Sequence, residues 1–317
     1  MLTWLVATSL LSSAAFARCP DVIFQWSSPE TEIGQPIFSP DGSAIAFSAR
    51  GHIPDAAEAE QYDTNALDRY VKSKEKIRGF GEPRLAVLHL GSAGVQLGPS
   101  GWQPCFSADG KTVFYAAQKH PISGLRVLND TLEGNGIGAY EIASGANRIL
   151  AQPDSGFYSS PAVGSDPSVV YFVHHPARLR YLQNPGIGYV QSPTQSYSID
   201  LTSQQQKVVS DGWEGKLYCS QQRQRGYPTI LKSPDNSQAV EYWPEFFLSG
   251  RGRPLMIRSL AGRVECSWSP KGEIWDAAWS PDSSKLMVVF STYNFADPSA
   301  YRDHLVVFGF PSNDRKR

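Results

Sequence analysis

The sequence has almost no net charge. Its 29 Lys plus Arg and 30 Asp plus Glu leave a formal charge of -1. That balance excludes a nucleic-acid binder led by phosphate contacts and a polybasic membrane-surface protein. Charged residues make up only 19%, below the usual quarter. There is no C-x-x-C pair, so a zinc ribbon or thioredoxin-like redox motif has no support. There is no H-E-x-x-H and no G-x-S-x-G, so neither the common zinc-hydrolase signature nor a nucleophile elbow is present. After the first residues, no stretch is long and apolar enough to cross a bilayer.

Hydrophobic residues at 41% and aromatics at 12% are enough for a large core and argue against wholesale disorder. The 27 Gly and 23 Pro suit a turn-rich β fold better than a helical one. Leu2 to Leu11 are mostly apolar, and Ala15-Phe16-Ala17 fits an A-x-A cleavage site. Residues 1–17 therefore read as a secretory signal peptide, although no Lys or Arg precedes the apolar run. Arg18 just before Cys19 disagrees with a lipobox. The expected mature chain is a single domain over residues 18–317, periplasmic or secreted, with no transmembrane segment. Cys19, Cys105, Cys219 and Cys266 all lie in that part. Their even number permits two disulfides in any of three connectivities, and Cys105 also reads as a buried thiol.

An internal repeat organises the rest. Gln35-Pro36-Ile37-Phe38-Ser39-Pro40-Asp41-Gly42 and Gln103-Pro104-Cys105-Phe106-Ser107-Ala108-Asp109-Gly110 share one grammar. Ser160-Pro161-Ala162-Val163-Gly164-Ser165-Asp166-Pro167, Ile230-Leu231-Lys232-Ser233-Pro234-Asp235-Asn236 and Ala277-Ala278-Trp279-Ser280-Pro281-Asp282-Ser283 repeat it. In each, a short apolar strand meets a turn in which Asp caps the backbone and Gly or Asn tolerates positive φ. An apolar run follows each turn, at 44–48, 112–116, 169–173, 239–243 and 286–290. Two further strand-like pieces follow in each of the first four units, joined by turns such as Ala143-Ser144-Gly145 and Ala261-Gly262.

Four antiparallel strands per unit, repeated five times, predict an all-β, five-bladed β-propeller. The last unit supplies only three strands, ending at His304–Phe310. Asp21–Trp26 is strand-like and is expected to supply the fourth, closing the ring and removing free edges. The unassigned piece Lys216–Gln222 leaves room for a sixth, degenerate blade.

The Phe-Ser-Pro-Asp-Gly turn followed by an apolar strand resembles the TolB-like, WD-like propeller repeat family. The resemblance covers nearly all of the expected mature chain. It implies the fold, and it implies a protein or peptidoglycan-associated partner in the cell envelope. The fold itself hosts many activities. TolB carries an α/β domain ahead of its propeller, and few residues precede the first motif here. Peptidases that resemble prolyl oligopeptidase add an α/β-hydrolase domain, for which this sequence has no elbow.

The connections between second and third strands are the long ones, at 50–83, 118–137 and 174–196, whereas first-to-second turns stay tight. Long loops on a rigid scaffold are where binding concentrates. Within the first, 55–77 reads as a helix, acidic residues leading and basic ones following. His52, His120, His174, His175 and His304 map to these connections or their edges. With Asp55, Asp297 or Asp303 they could in principle hold a metal, but no spacing supports one, and neither metal nor cofactor is expected. His174-His175 with Arg178 and Tyr181 is the most basic and aromatic cluster, a candidate contact for an anionic or carbohydrate-like group. Trp213 and Tyr227 on the next connector add apolar area.

Positions expected at the inner-strand entrances are Gln35, Gln103, Ser160, Tyr227 and Asp276. Only Asp276 is a carboxylate, and glycoside hydrolysis needs two. The sequence therefore reads as a non-catalytic binding propeller. Its alternative is a hydrolase of a carbohydrate-like substrate, using Asp276 with a loop carboxylate such as Glu214.

Overall fold

In a computed structural model of the chain, the Asp-bearing turn of each repeat is the corner of an antiparallel hairpin. The structure describes residues 19–28, 31–51, 83–91, 94–118, 134–176, 194–209, 229–243, 253–270, 272–292 and 302–310. The signal peptide, the 55–77 helix and the Lys216–Gln222 piece lie outside these residues. Among the described residues every element is a strand, and no helix is long and apolar enough to cross a membrane.

The first unit is β2 (Thr31–Phe38), β3 (Ala44–Gly51), β4 (Pro83–His89) and the start of β5 (Val95–Phe106). The second is the end of β5 with β6 (Thr112–Ala117), β7 (Gly136–Glu141) and β8 (Asn147–Ala151). The third is β9 (Phe157–Val163), β10 (Val169–His175), β11 (Gln195–Asp200) and β12 (Gln206–Val208). The fourth is β13 (Thr229–Lys232), β14 (Gln238–Tyr242), β15 (Leu255–Ser259) and β16 (Val264–Trp268). The fifth is β17 (Glu273–Trp279), β18 (Lys285–Thr292), β19 (Arg302–Gly309) and β1 (Asp21–Ser28). Every pairing is antiparallel between neighbours, and β1 lies on β19 as the sequence predicts.

One boundary differs from expectation. The first unit's outer strand does not stop at Gly98 but runs through to Phe106 as β5, which belongs to two units. A Cβ at Gly101 would overlap the Ala116 carbonyl and the Tyr115 ring. Glycine there lets the chain pass from one unit to the next while staying extended.

The hairpin corners are built alike. Ser39 Oγ donates to Asp41 Oδ1 at 2.6 Å and accepts from Ala44 N at 2.9 Å. Asp41 also accepts from Ser43 N at 3.0 Å. Ser107–Asp109, Ser233–Asp235 and Ser280–Asp282 repeat the arrangement. The following residue takes positive φ: Gly42 at 66°, Gly110 at 72°, Asn236 at 55° and Ser283 at 60°. In the third unit Gly164 stands at the serine position, and Asp166 alone caps Ser168 N at 2.9 Å. Hydrogen bonds from Ser39 and Ser43 pull the Asp41 pKa from 3.8 to about 2. Asp235 is likewise brought to about 2, chiefly by Ser233. At Asp282 burial works against the shift, but Ser280 and Ser284 outweigh it and again bring the value to about 2.

The core lies between units. Val113 and Tyr115 meet Ala46, Leu85 and Val87 across the first and second. Phe114, Ile137 and Leu150 meet Tyr158, Val170 and Phe172 across the second and third. Strand β18 serves two neighbours at once. Its Leu286, Val288 and Phe290 pack with Val240, Tyr242 and Ile257 of the fourth unit. Its Met287 and Val289 pack with Ile45, Phe47 and Leu88 of the first. Burial on both faces explains why such strands read as continuous apolar runs rather than alternating ones.

Cys19, just before β1, is bridged to Cys266 of β16, with Cα atoms 5.1 Å apart. The bridge ties the N-terminal strand to the fourth unit while its hydrogen bonds tie it to the fifth. Of the two bridges that the cysteine count permits, this is the one found among the described residues, and the buried-thiol reading holds for Cys105. Cys105 is a free thiol whose pKa burial pushes up to about 11, and Cys219 lies outside the described residues.

Two outcomes follow. Replacing Cys19 and Cys266 by Ser should lower unfolding stability by about 2–4 kcal/mol in urea titration, because the bridge restrains a long loop of the unfolded chain. The depressed carboxyls bind protons less readily folded than unfolded. Their contribution is thus present above about pH 4 and lost as pH falls toward 2. Changing Asp41, Asp235 and Asp282 together to Asn should flatten that acid limb in thermal melts.

Candidate functional site

The register sets the strand ends that face one another. Thr31 opposes Gly51, Gly101 opposes Ala117, Phe157 opposes His175, and Glu273 opposes Ser291. The innermost strands of four units therefore begin at the end where the long connections leave. The opposite end carries the sealed turns. Between the second and third units that opposite end holds a cleft of about 520 Å³, lined by Ser107, Asp109, Phe114, Arg148 and Leu201 among others.

Three of the predicted entrance positions share an unusual backbone. Gln35, Gln103 and Ser160 have φ of 49°, 54° and 54°, and each precedes a proline. Left-handed geometry for a non-glycine residue ahead of proline is unfavourable. The ladder shifts register there in the first two units, and beside Ser160 in the third. Such bulges re-aim side chains. Gln103 Oε1 accepts from Ser160 N at 2.7 Å, so one unit holds the bulge of the next in place. In the fifth unit the irregularity falls between Ile274 and Asp276. Tyr227 lies outside the described residues.

Asp276 is 8% exposed and opposes Val289. Asp303, named above as a possible metal ligand, lies within β19 and is 2% exposed. Its Oδ2 accepts from Ile33 N at 2.9 Å. Its Oδ1 accepts from the Ser291 hydroxyl, which in turn accepts from Trp275 Nε1. This polar chain couples β17, β18 and β19 to β2 across the junction of the fifth and first units. It was not legible as a unit, because its members are far apart in sequence.

His174 and His175 end β10 and, as strand neighbours, point to opposite faces. His174 Nε2 meets the Ser155 carbonyl at 2.9 Å, and its ring stands edge-on to Tyr158 and Tyr197. His175 Nε2 meets Ser159 Oγ at 2.7 Å, and its ring stacks on Phe157. His304 stacks on Phe290 and contacts Thr292 Oγ1 at 3.0 Å. Burial lowers the His304 pKa below 6.5, with Arg302 adding repulsion. Among the described residues no three His, Cys, Asp or Glu side chains come together as metal ligands. Arg178, Tyr181 and Trp213, with His52, His120, Asp55, Asp297 and Glu214, lie outside the described residues. An aromatic the sequence reading passed over, Trp243, sits under the Arg253 guanidinium, 4.3 Å from its ring centre.

No family model matches the sequence, and no curated protein does. Solved structures do. The chain is similar to the apo AtxE2 isopeptidase, with TM-score 0.50 and 12% identity over 86% of this chain and 51% of that one. It is also similar to TolB from Acinetobacter baumannii, with TM-score 0.34 and 14% identity over 87% of this chain and 54% of that one. A third is the β-propeller domain of the Trilobed protease from Pyrococcus furiosus, with TM-score 0.34 and 10% identity over 84% and 64%. The chain thus spans about half the length of the isopeptidase and of TolB. The likeness is one of fold, and the fold is of the β-propeller kind.

Replacing Gln103 by Leu would leave the buried-side partner of Ser160 N missing. The loss should be about 1–3 kcal/mol in chemical unfolding, with Gln103→Glu retaining most of the stability because it still offers an acceptor.

Proposed function

We propose that this chain is an exported, five-bladed propeller, closed by its N-terminal strand, that binds a protein partner of the cell envelope. The five four-strand units and the seating of β1 on β19 support the blade count and the closure. The bridge between Cys19 and Cys266 supports an oxidising compartment, since such bonds persist outside the reducing cytosol. It sits just beyond the signal peptide read at residues 1–17. The TolB-like repeat resemblance supports the kind of partner.

One observation carries the choice of surface. The turns at one end use their own Ser and Asp groups to satisfy their backbone. The other end bears the left-handed bulges and the departures of the long connections. The elaborated end is the binding face, with His174, His175, Arg178, Tyr181, Trp213, Tyr227 and Asp276 as its contributors. This reading calls for no cofactor.

A crosslinked pull-down from the native envelope fraction tests this reading. The expected result is a recurrent protein, lost when residues 52–82 are replaced by a short Gly-Ser link that leaves the melting temperature within a few degrees. Retention of the same protein by that folded deletion would overturn the surface assignment.

A further inference from the structure

The third unit carries a side-chain pair whose close approach partner binding does not call for. Ser159 Oγ and His175 Nε2 are 2.7 Å apart, a separation at which an imidazole can take a hydroxyl proton. Phe157 lies flat on the His175 ring, 4.4 Å between centroids and 7° from parallel, which fixes the plane of the imidazole. The residue after Ser159 is the left-handed Ser160, pinned by Gln103. The backbone presenting Ser159 is therefore strained and held, as at many reacting positions.

A second observation points to a ligand at the same place. Ser159 and Ser196 both oppose Val173, one from each side, so all three share one rung and one face of the sheet. Ser196 is 5% exposed, and among the described residues its hydroxyl has no hydrogen-bond partner. A buried hydroxyl without a partner is unfavourable, and a bound polar group would satisfy it. Tyr171 and Val173 on this face are only half-buried, and neither joins the clusters that seal the opposite face through Val170 and Phe172.

We infer that Ser159 and His175 form a nucleophile and general-base pair for acyl transfer from small carboxylic esters, with Ser196 hydrogen-bonding the bound ester. Ser159 Oγ attacks the carbonyl carbon as its proton passes to His175 Nε2. The ester C–O bond breaks, and the leaving alcohol takes that proton. Water then attacks the acyl-serine by the reverse route, giving the carboxylic acid and restoring the hydroxyl. The pair shares His175 with the proposed binding face, but the nucleophile Ser159 is not among its contributors, so labelling of Ser159 is read without any partner present.

The test uses the purified mature chain and diisopropyl fluorophosphate, which transfers its phosphoryl group to a reactive hydroxyl and releases fluoride. Peptide mass spectrometry should find one adduct, on Ser159, and Ser159→Ala should remain unlabelled at an unchanged melting temperature. His175→Phe keeps the stack on Phe157 but removes the base, and should slow labelling by about a hundredfold or more. Hydrolysis of p-nitrophenyl acetate should fall in parallel in both variants. Absence of an adduct on Ser159, or an unchanged labelling rate in folded His175→Phe, would overturn the inference.

Discussion

One serine hydroxyl and one aspartate carboxylate seal the first hairpin in four of the five described units, and the rest of the fold depends on that seal. The hydroxyl of Ser39 bridges the turn by donating to Asp41 and accepting from Ala44 N. This fixes the residue at which the chain reverses, and so fixes which side chains of β2 and β3 share a face. A slip of one residue would turn every apolar side chain to the wrong neighbour. The same bond in the second, fourth and fifth units gives the same phase each time. Only because the phase is shared can β18 supply two clusters, Val288 to one side and Val289 to the other.

Three kinds of contact connect the N-terminal strand and the first unit with the fourth and fifth. Strand β1 takes the outer edge of the fifth unit. Cys19 is bridged into β16. Asp303 reaches from β19 to the Ile33 amide of β2. A hydrogen-bonded ladder, a covalent link and a buried carboxylate thus hold the N-terminal region and the first unit against the fourth and fifth. The apolar contacts of Phe24 and Trp26 with the cluster around Phe47 add to these. A rigid frame of this kind leaves one end available for elaboration.

Much of this was legible in the residues. The Ser-x-Asp spacing marked the hairpin corners, and the apolar runs after them marked strands buried on both sides. The strand Asp21–Trp26 was legible as the fourth strand of the last unit because that unit lacked one, and it pairs with β19. Less legible were contacts that depend on backbone irregularity. Nothing in Gln35-Pro36 or Ser160-Pro161 announces a left-handed bulge, since that geometry is imposed by the neighbouring strands. The pairing of Ser159 with His175 required both the register and the bulge. The disulfide partner of Cys19 could be chosen only once β16 lay beside the chain start. Asp303, read as a candidate ligand, proved to be a strand residue because β19 begins at Arg302, two residues before the expected His304.

The proposed function places partner binding at the elaborated end. Hydrogen exchange on the mature chain, free and bound to a captured partner, tests it most directly. Exchange should slow at the strand ends near 31–35, 101–103, 157–160 and 194–196, with the sealed turns unchanged. Protection confined to the turns at 39–43, 107–112, 233–238 and 280–285 would contradict it.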